Sequence, residues 1–262
     1  MMSPKAVALI VLGMTLSMFV SAITTGPSTT QTITPSVPDW NYDLNGTDWT
    51  MGNCGNYTRA QSPWALVNTP DDIFTWDSMV DYSFLTAWKE ATVYATQHDV
   101  INYTYYVNLT DDSDLGIFYA VEPFAAGAMI QWKPTQIRFK YPSEHIIDGI
   151  QYDFEMQVMM NDTLERSQWC YSHQGAFSFL FNIGTEQSDF WNWVGQDSGT
   201  INLEYLFTMK TSMTTQMWGY VATDTMPECL NKFCWYFNTP AGTITQATLD
   251  ALKVDGVNNN NR

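Results

Sequence analysis

Two cations, a carboxylate and an amide are the side chains in this sequence whose types and spacing could do chemistry. They lie in QIRFKYPSEHIIDGIQYDFEMQV, residues 136–158, where two runs with a period of two flank the segment SEHIIDG. Alternate residues of a strand point to the same face. Arg138 and Lys140 therefore share one face of the first run, and Glu155 and Gln157 share one face of the second. If these faces point inward, they form either a buried ion-paired cluster or a cationic pocket floor for a small anion or carboxylate.

Other catalytic or metal-binding candidates are few. The chain has three histidines, His98, His145 and His173. His98 and His173 have no second ligand at helical or strand spacing, which favours a surface or a hydrogen-bonded core role over metal binding. The sequence contains no nucleophile elbow and no glycine-rich phosphate loop, although it leaves a Ser/His/Asp or Cys/His arrangement open.

The N-terminal residues predict export from the cytosol. Lys5 precedes an apolar stretch over residues 6–20, and Val20-Ser21-Ala22 forms a small-residue cleavage site. This pattern is typical of a cleaved signal peptide over residues 1–22, with an uncleaved anchor as the alternative. Residues 23–38 are rich in Thr, Ser and Pro and predict an extended spacer, followed by one domain over 39–255 and a polar tail over 256–262.

Cysteines and glycosylation sequons agree with that localisation. The four cysteines, Cys54, Cys170, Cys229 and Cys234, can form two disulfides in three possible pairings. Five Asn-x-Ser/Thr sequons begin at Asn45, Asn56, Asn102, Asn108 and Asn161. We therefore expect a secreted, lumenal or cell-surface glycoprotein with no membrane span once the signal peptide is removed.

Charge and composition limit the partners. The formal net charge is −16, from 27 acidic and 11 basic residues, which disfavours nucleic acid and anionic lipid. Aromatic residues make up 15% of the chain, enough for a large core and for contacts with an extracellular protein or glycan partner.

Strand patterns dominate the predicted domain. Short β-branched or aromatic runs recur between residues 103 and 239, and helical patterns are short, with the clearest at 244–252. The stretch 77–91 fits a helix or a strand. These patterns predict a mainly β, single-domain fold with a large, mainly antiparallel sheet.

Three separated groups of residues follow a recognisable order along the chain. In the first group, aromatic residues precede a cysteine and Gln-Ser-Pro. In the second, a Gln-x-Arg-x-Lys strand precedes Ser-Glu-His and an Asp. In the third, a Thr and a Pro precede a Trp. Their members are Trp40, Tyr42, Trp49, Cys54, Gln61, Ser62, Pro63, Gln136, Arg138, Lys140, Ser143, Glu144, His145, Asp148, Thr225, Pro227 and Trp235. This order, over about residues 40 to 252, resembles the alpha-type carbonic anhydrases. The resemblance implies a large twisted, mostly antiparallel central sheet with short peripheral helices.

The resemblance implies that the zinc site has been replaced. It places Arg138, Lys140 and Gln157 where the family has its three zinc histidines. Arginine has no lone pair to offer a metal, lysine must first lose its proton, and glutamine is a weak oxygen ligand for zinc. We therefore expect no zinc cofactor and no catalytic residues, as in the non-catalytic carbonic anhydrase-related proteins.

Other family positions are implied by the same resemblance. Glu155 matches the carboxylate behind a zinc histidine, and Glu144 the carboxylate that holds the hydroxyl of Thr225. His145 matches a structural histidine that bonds a tyrosine, here Tyr220. We expect Arg138 and Lys140 to neutralise Glu144 and Glu155 by ion pairing.

Further departures accompany the lost ligands. Tyr103 stands near the family's proton-shuttle histidine, and Asp224 replaces a leucine of its apolar substrate wall. The resemblance pairs Cys54 with Cys229, which leaves Cys170 with Cys234.

The expected function is a non-catalytic binding or structural module. The alternatives are an active carbonate dehydratase with an atypical metal site, a matrix or mineral-associated protein, and an anion or carboxylate receptor that uses Arg138 and Lys140.

Overall fold

A twelve-stranded sheet forms most of the described structure. The computed structural model describes residues 40–55, 61–68, 78–101, 104–121, 129–165, 167, 170–206, 214–254, 259–260 and 262. The predicted signal peptide and spacer lie outside these residues, as do Asn56, Asn102 and Tyr103. The described residues fall within one compact unit, Pro38–Arg262.

The strands follow one another with few helices between them. In chain order they are β1 (Ala65–Asn68), β2 (Ser78–Trp88), β3 (Ala91–Tyr94), β4 (His98–Ile101), β5 (Thr104–Asn108), β6 (Gly116–Val121), β7 (Met129–Lys140), β8 (Ile146–Ile147), β9 (Ile150–Gln151), β10 (Phe154–Asp162), β11 (Gln174–Gly184), β12 (Ser198–Ile201), β13 (Thr214–Thr223) and β14 (Asn231–Thr245). The described helices are short. Four are 3₁₀ helices, at Ala95–Gln97, Asp111–Ser113, Asp189–Trp193 and Leu203–Leu206, and α1 spans Gln246–Leu252.

The large sheet runs in the order β4-β5-β7-β10-β11-β14-β13-β2-β1-β8-β9, and β6 joins β2 and β7 at one end of those strands. Among the described pairs, β1 with β2, β1 with β8, and β11 with β14 are parallel, and the others are antiparallel. The predicted mainly β fold is therefore confirmed. The ambiguous stretch 77–91 contributes strand β2, because it is paired on both sides, with β13 and β6.

The two faces of the sheet are buried against different layers. On β10, Phe154, Met156 and Val158 pack into the larger aromatic core, which also contains Ile137 and Phe139 of β7. The alternate residues point to the opposite face, where a smaller core contains Met159. Strand β10 is buried along most of its length, as expected of a central strand covered on both sides. The polar residues of 136–158 therefore lie inside the protein, beside the smaller core.

A tight turn connects β8 to β9 and returns the chain toward β10. Asp148 and Gly149 have φ values of 52° and 77°. Two successive positive φ angles define a type I′ turn, for which Asp-Gly is a preferred pair. The turn allows Glu144 and His145, just before β8, to lie beside Glu155 at the start of β10.

C-terminal residues and two disulfides contribute to the packing of the domain. Both predicted disulfides, Cys54–Cys229 and Cys170–Cys234, are formed. Asn260, which falls within the predicted polar tail, is fully buried and hydrogen-bonds the backbone of Phe139 and Tyr141 beside the end of β7. The C-terminal residues thus take part in the packed domain. No described helix is both long enough and apolar enough to cross a membrane.

Removing the disulfides singly should reveal their different loop lengths. The two bonds close chain segments with sequence separations of 175 and 64 residues. In the loop-entropy view each bond contributes about 2–5 kcal/mol, with about 1 kcal/mol more for the longer loop. Urea unfolding of Cys54→Ala/Cys229→Ala and of Cys170→Ala/Cys234→Ala should show the larger loss for the first variant. Equal losses would mean that strain or residual structure, and not loop length, sets the difference.

Candidate functional site

The register between β7 and β10 assembles the polar residues singled out in the sequence. Lys140 lies opposite Glu155, and Arg138 lies opposite Gln157. Lys140, Glu155 and Gln157 are fully buried, whereas the Arg138 side chain is 15% exposed. The prediction that these residues share one inward face therefore describes their placement correctly.

Lys140 is enclosed by partners from separate parts of the chain. Its Nζ lies 3.0 Å from Oε1 of Glu144, and both side chains are inaccessible to solvent. The ammonium donates to the Tyr42 hydroxyl at 2.6 Å and to the backbone oxygen of Asn260 at 3.3 Å. The contact with Oε1 is an ion pair that lacks hydrogen-bond geometry. The charge of Lys140 is thus neutralised within the protein and is out of reach of a solute.

Arg138 is paired with Asp224, which lies 86 residues further along the chain. Its Nη1 donates to both carboxylate oxygens, at 3.0 and 3.1 Å, and its Nε donates to Oε1 of Gln136 at 3.1 Å. Burial opposes the charged form of the guanidinium, but Asp224 together with Tyr106 and Tyr42 outweighs this effect, and the pKa of Arg138 is raised. The expectation that Arg138 would neutralise Glu144 or Glu155 is wrong, because Asp224 occupies the guanidinium instead.

Glu155 belongs to a hydrogen-bonded chain that ends at Ser62. Its Oε2 accepts from the backbone N–H groups of Glu144 and His145, and its Oε1 lies 2.7 Å from Nδ1 of His145. The other ring nitrogen of His145 lies 2.8 Å from the Tyr220 hydroxyl, which in turn contacts Ser62. Burial favours a higher pKa for Glu155, but attraction to His145 and these hydrogen bonds lower it to about 2. The predicted contact of His145 with Tyr220 is present.

The side-chain amide of Gln157 bridges the two glutamates, and the Ser178 hydroxyl also donates to Oε1 of Glu155. Nε2 of Gln157 donates to Oε2 of Glu144 at 2.8 Å and to Oε1 of Glu155 at 3.0 Å. The expected hydrogen bond from the Thr225 hydroxyl to the Glu144 carboxylate is not formed. Instead, the hydroxyl of Thr225 and the amide oxygen of Gln157 are buried with no hydrogen-bond partner in the described part of the chain.

Two tyrosines contact this cluster of polar residues: Tyr42, which the sequence analysis named only as a landmark of the resemblance, and Tyr106, which it missed. Tyr106 of β5 lies opposite Arg138, and its hydroxyl donates to Sδ of Met226 at 3.1 Å. Burial raises the pKa of Tyr106 to about 12 and that of Tyr42 well above its ordinary value. Both phenols therefore remain neutral at ordinary pH. The alternating pattern of YTYYVNL, together with the partner register of β7, was the available signal for Tyr106.

An open cleft of about 270 Å³ lies above Arg138. Gln136 and Met159 continue the faces of β7 and β10 beyond Arg138 and Gln157, and Phe233 contributes from β14. Thr135, Asn161 and Gln174 complete its polar lining. Lys140 and the other predicted site residues deeper than Arg138 do not line this space.

The remaining predicted positions are dispersed. Asn45 and Asn161 are exposed, and the side chain of Asn108 accepts a hydrogen bond from Nε2 of Gln136. His98 contacts the hydroxyl of Tyr105 at 2.7 Å, and His173 lies 3.7 Å from Asp162. Within the described residues, no group of three or more His, Cys, Asp and Glu side chains is arranged to hold a metal ion.

Comparison with known proteins gives one curated relative and many structural neighbours. No protein-family model matches the chain. A carbonic anhydrase from Dunaliella salina is 26% identical over 254 residues, which cover 88% of this chain but 41% of the relative. The chain thus spans about two fifths of the length of that relative.

Solved structures cover most of the chain at low identity. The alpha-carbonic anhydrase of Photobacterium profundum superposes with a TM-score of 0.61 at 16% identity, covering 85% of this chain and 94% of its own. A halotolerant carbonic anhydrase from Dunaliella salina gives 0.60 at 16%, covering 86% and 94%. Dioscorin complexed with ascorbate gives 0.57 at 17%, covering 80% and 82%.

The fold is that of the alpha-carbonic anhydrases. The curated relative and the solved structures together point to this family. An alpha-carbonic anhydrase fold implies a zinc ion, and the donor set present here can be tested against it.

The residues that the resemblance places at the family's zinc positions do not fit a zinc ion. Arg138 carries a fixed charge held by Asp224, and Lys140 carries an ammonium that donates to Tyr42 and Asn260. Gln157 turns its N–H groups toward two carboxylates, and its free oxygen alone is a poor zinc ligand. Two cations would repel a dication at this place. We derive no reaction step that passes through a metal.

Neutralising Lys140 should destabilise the fold strongly. Removing one member of a buried ion pair costs about 3–5 kcal/mol, because the other charge is left uncompensated. We expect a loss of this size in the free energy of unfolding of Lys140→Met. Lys133→Met on the same strand is the matched control, since its pair with Asp111 is exposed and contributes about 0–1 kcal/mol. Similar losses for both variants in urea titrations would contradict the assigned role of Lys140.

The low pKa of Glu155 predicts acid-sensitive stability. A carboxyl whose pKa falls from an ordinary 4.5 to about 2 on folding stabilises the native state above the higher value. That contribution is lost as the pH falls through this window. The stability difference between the wild type and Glu155→Gln should therefore be largest near neutral pH and should shrink toward about pH 2. Unfolding midpoints measured across this range, with the exposed Glu186→Gln as control, would test it, and a constant difference would refute it.

Proposed function

We propose that this chain is a secreted, glycosylated carbonic-anhydrase-like domain that works as a non-catalytic binding or structural module. The observation that carries the proposal is the state of Lys140, whose ammonium occupies the buried end of the site in an ion pair with Glu144. A charge that is already neutralised, inaccessible and bonded to two more groups has no free role in a reaction.

Several further contacts support the same proposal. By the resemblance, Arg138 and Asp224 stand at a zinc-ligand position and at an apolar wall position, and they form an ion pair with each other. A hydration reaction needs a metal-bound nucleophile at that place. Thr225 lacks the carboxylate partner that would orient its hydroxyl, since Glu144 is engaged by Lys140 and Gln157. This chain thus differs from the family pattern at the zinc-ligand positions, at the apolar wall and in the orientation of the Thr225 hydroxyl. A change of metal preference alone would not require all three differences.

Export from the cytosol is supported by two observations. Both disulfides are formed, and such bonds persist in oxidising compartments. The sequon residues Asn45 and Asn161 are exposed and accessible to a glycosyl transfer enzyme. The partner of the module is accordingly an extracellular protein or glycan.

Carbonate dehydratase activity is the second candidate, because the curated relative is named a carbonic anhydrase. It requires an atypical metal arrangement, with Arg138 and Lys140 moved away from their present carboxylate partners. Such a rearrangement would leave Asp224 and Glu144 as unpaired, largely buried charges.

Metal content and hydration rate decide between the two. We expect the purified protein to contain zinc far below one ion per chain and to hydrate CO₂ no faster than buffer, with no change on adding a chelator. An active alpha-carbonic anhydrase assayed in parallel is the control. Stoichiometric zinc together with chelator-sensitive hydration would overturn the non-catalytic proposal.

A further inference from the structure

We propose that the cleft above Arg138 binds a neutral, hydroxyl-rich ligand of about the size of one sugar ring. The inference rests on the proposed function and deepens it, because it names the ligand class of the binding module.

Amide side chains dominate the polar lining of the cleft. Asn161 of β10 and Gln174 of β11 lie directly opposite each other in the sheet, and both are exposed. Neither amide has a side-chain hydrogen bond within the described residues. Each carries a donor and an acceptor, as does a hydroxyl group, so two adjacent amides match the hydroxyls of a sugar. Opposite residues on neighbouring strands are separated by about 5 Å, which suits two neighbouring groups on one ring.

The floor of the cleft is charged but electrically balanced. Nη1 of Arg138 donates to the two carboxylate oxygens of Asp224, and Nε donates to Gln136. Its remaining nitrogen, Nη2, has no hydrogen bond to another described residue and can donate to a ligand oxygen. Lys140 is the second cation expected for an anion site, but it is buried, ion-paired with Glu144 and does not line the cleft. With the guanidinium neutralised and a net charge of −16 on the chain, the cleft offers little attraction to an anion.

Amide acceptors on the same cleft as Arg138 also favour a hydroxyl over a carboxylate. Asn161 and Gln174, both exposed, line the cleft together with Arg138, and each carries an amide oxygen. A hydroxyl can donate to such an oxygen while accepting from Arg138, whereas a carboxylate or sulfate can only accept. The apolar surfaces of Met159 and Phe233 can pack against the C–H face of a ring.

Size limits the ligand to a small unit. The cleft volume is about 270 Å³, slightly below the usual range of about 300–1,000 Å³ for ligand pockets. A single ring open to solvent on one side is compatible with this volume. The same chemistry has two sources, a glycan of another molecule and the chain's own glycan on Asn161, whose sequon is Asn161-Asp162-Thr163.

Saturation-transfer NMR on the purified protein can test the ligand class. The probes are methyl α-glucoside, methyl α-mannoside and N-acetylglucosamine, with acetate and sulfate as the anions. We expect saturable binding of at least one saccharide that neither anion displaces. Gln136→Leu and Gln174→Leu should each weaken it roughly 2- to 10-fold, the effect of one lost hydrogen bond. The matched control Gln196→Leu, an exposed glutamine outside the cleft, should bind as the wild type does.

Two additional variants test the role of charge in the cleft and the source of the sugar. Asp224→Asn leaves Arg138 unbalanced, so this variant should acquire acetate or sulfate binding that the wild type lacks. Thr163→Val removes the sequon but keeps the Asn161 amide. If the chain's own glycan fills the cleft, free saccharides should bind Thr163→Val and not the wild type. Equal binding to both assigns the site to an external glycan.

Three results would overturn the proposal. They are the absence of saccharide binding to both the wild type and Thr163→Val, displacement of the saccharide by acetate, and unchanged affinity in both Gln136→Leu and Gln174→Leu. Circular dichroism and thermal melts establish that the exposed-site variant Gln174→Leu is folded. None of these outcomes bears on zinc content or CO₂ hydration, so the non-catalytic proposal stands or falls separately.

Discussion

The buried ammonium group of Lys140 is the constraint to which the rest of the site is adjusted. Removing an ammonium and a carboxylate from water costs several kcal/mol for each ion, and close pairing with further hydrogen bonds must offset it. Glu144 supplies the opposite charge, while Tyr42 and Asn260 supply oxygens from the two ends of the domain. The ring of Tyr42 also lies 4.5 Å from the ammonium. One side chain thus ties Tyr42 and Asn260, from near the two ends of the domain, to the central sheet.

The neighbouring contacts follow from how Glu144 is used. With Oε1 facing Lys140, Oε2 is left for Gln157, whose other hydrogen bond reaches Glu155. The hydroxyl of Thr225 has no hydrogen-bond partner among the described residues, although the resemblance predicts Glu144 for it. On the outer side, Asp224 neutralises Arg138, and the cleft above it is bounded by amides and by a balanced ion pair. Each positive charge has its own carboxylate, which explains how two cations are tolerated at the centre of a large sheet.

The sequence predicted the placement of the site residues better than their partners. The period of two on both sides of SEHIIDG was sufficient to place Arg138, Lys140, Glu155 and Gln157 on one face, because side-chain direction in a strand is a local property. The partner of Arg138 was missed, since Asp224 reaches it only through the packing of β13 and β14 into the same sheet. Strand β2 was ambiguous for a similar reason: its conformation is decided by pairing with β13 and β6 and not by its local pattern.

By itself the sequence determined the mainly β class, the inward face that carries two cations and the positions at which the resemblance to the alpha-carbonic anhydrases breaks. These properties depend on residue type and on near-neighbour periodicity, which are legible along the chain. Only the tertiary structure decided which carboxylate pairs with which cation. It also decided that the backbone oxygen of Asn260 accepts a hydrogen bond from Lys140 and that an open cleft lies beside Arg138. Such pairings join residues up to 120 positions apart, and their energies depend on burial, which exists only once the sheet has assembled.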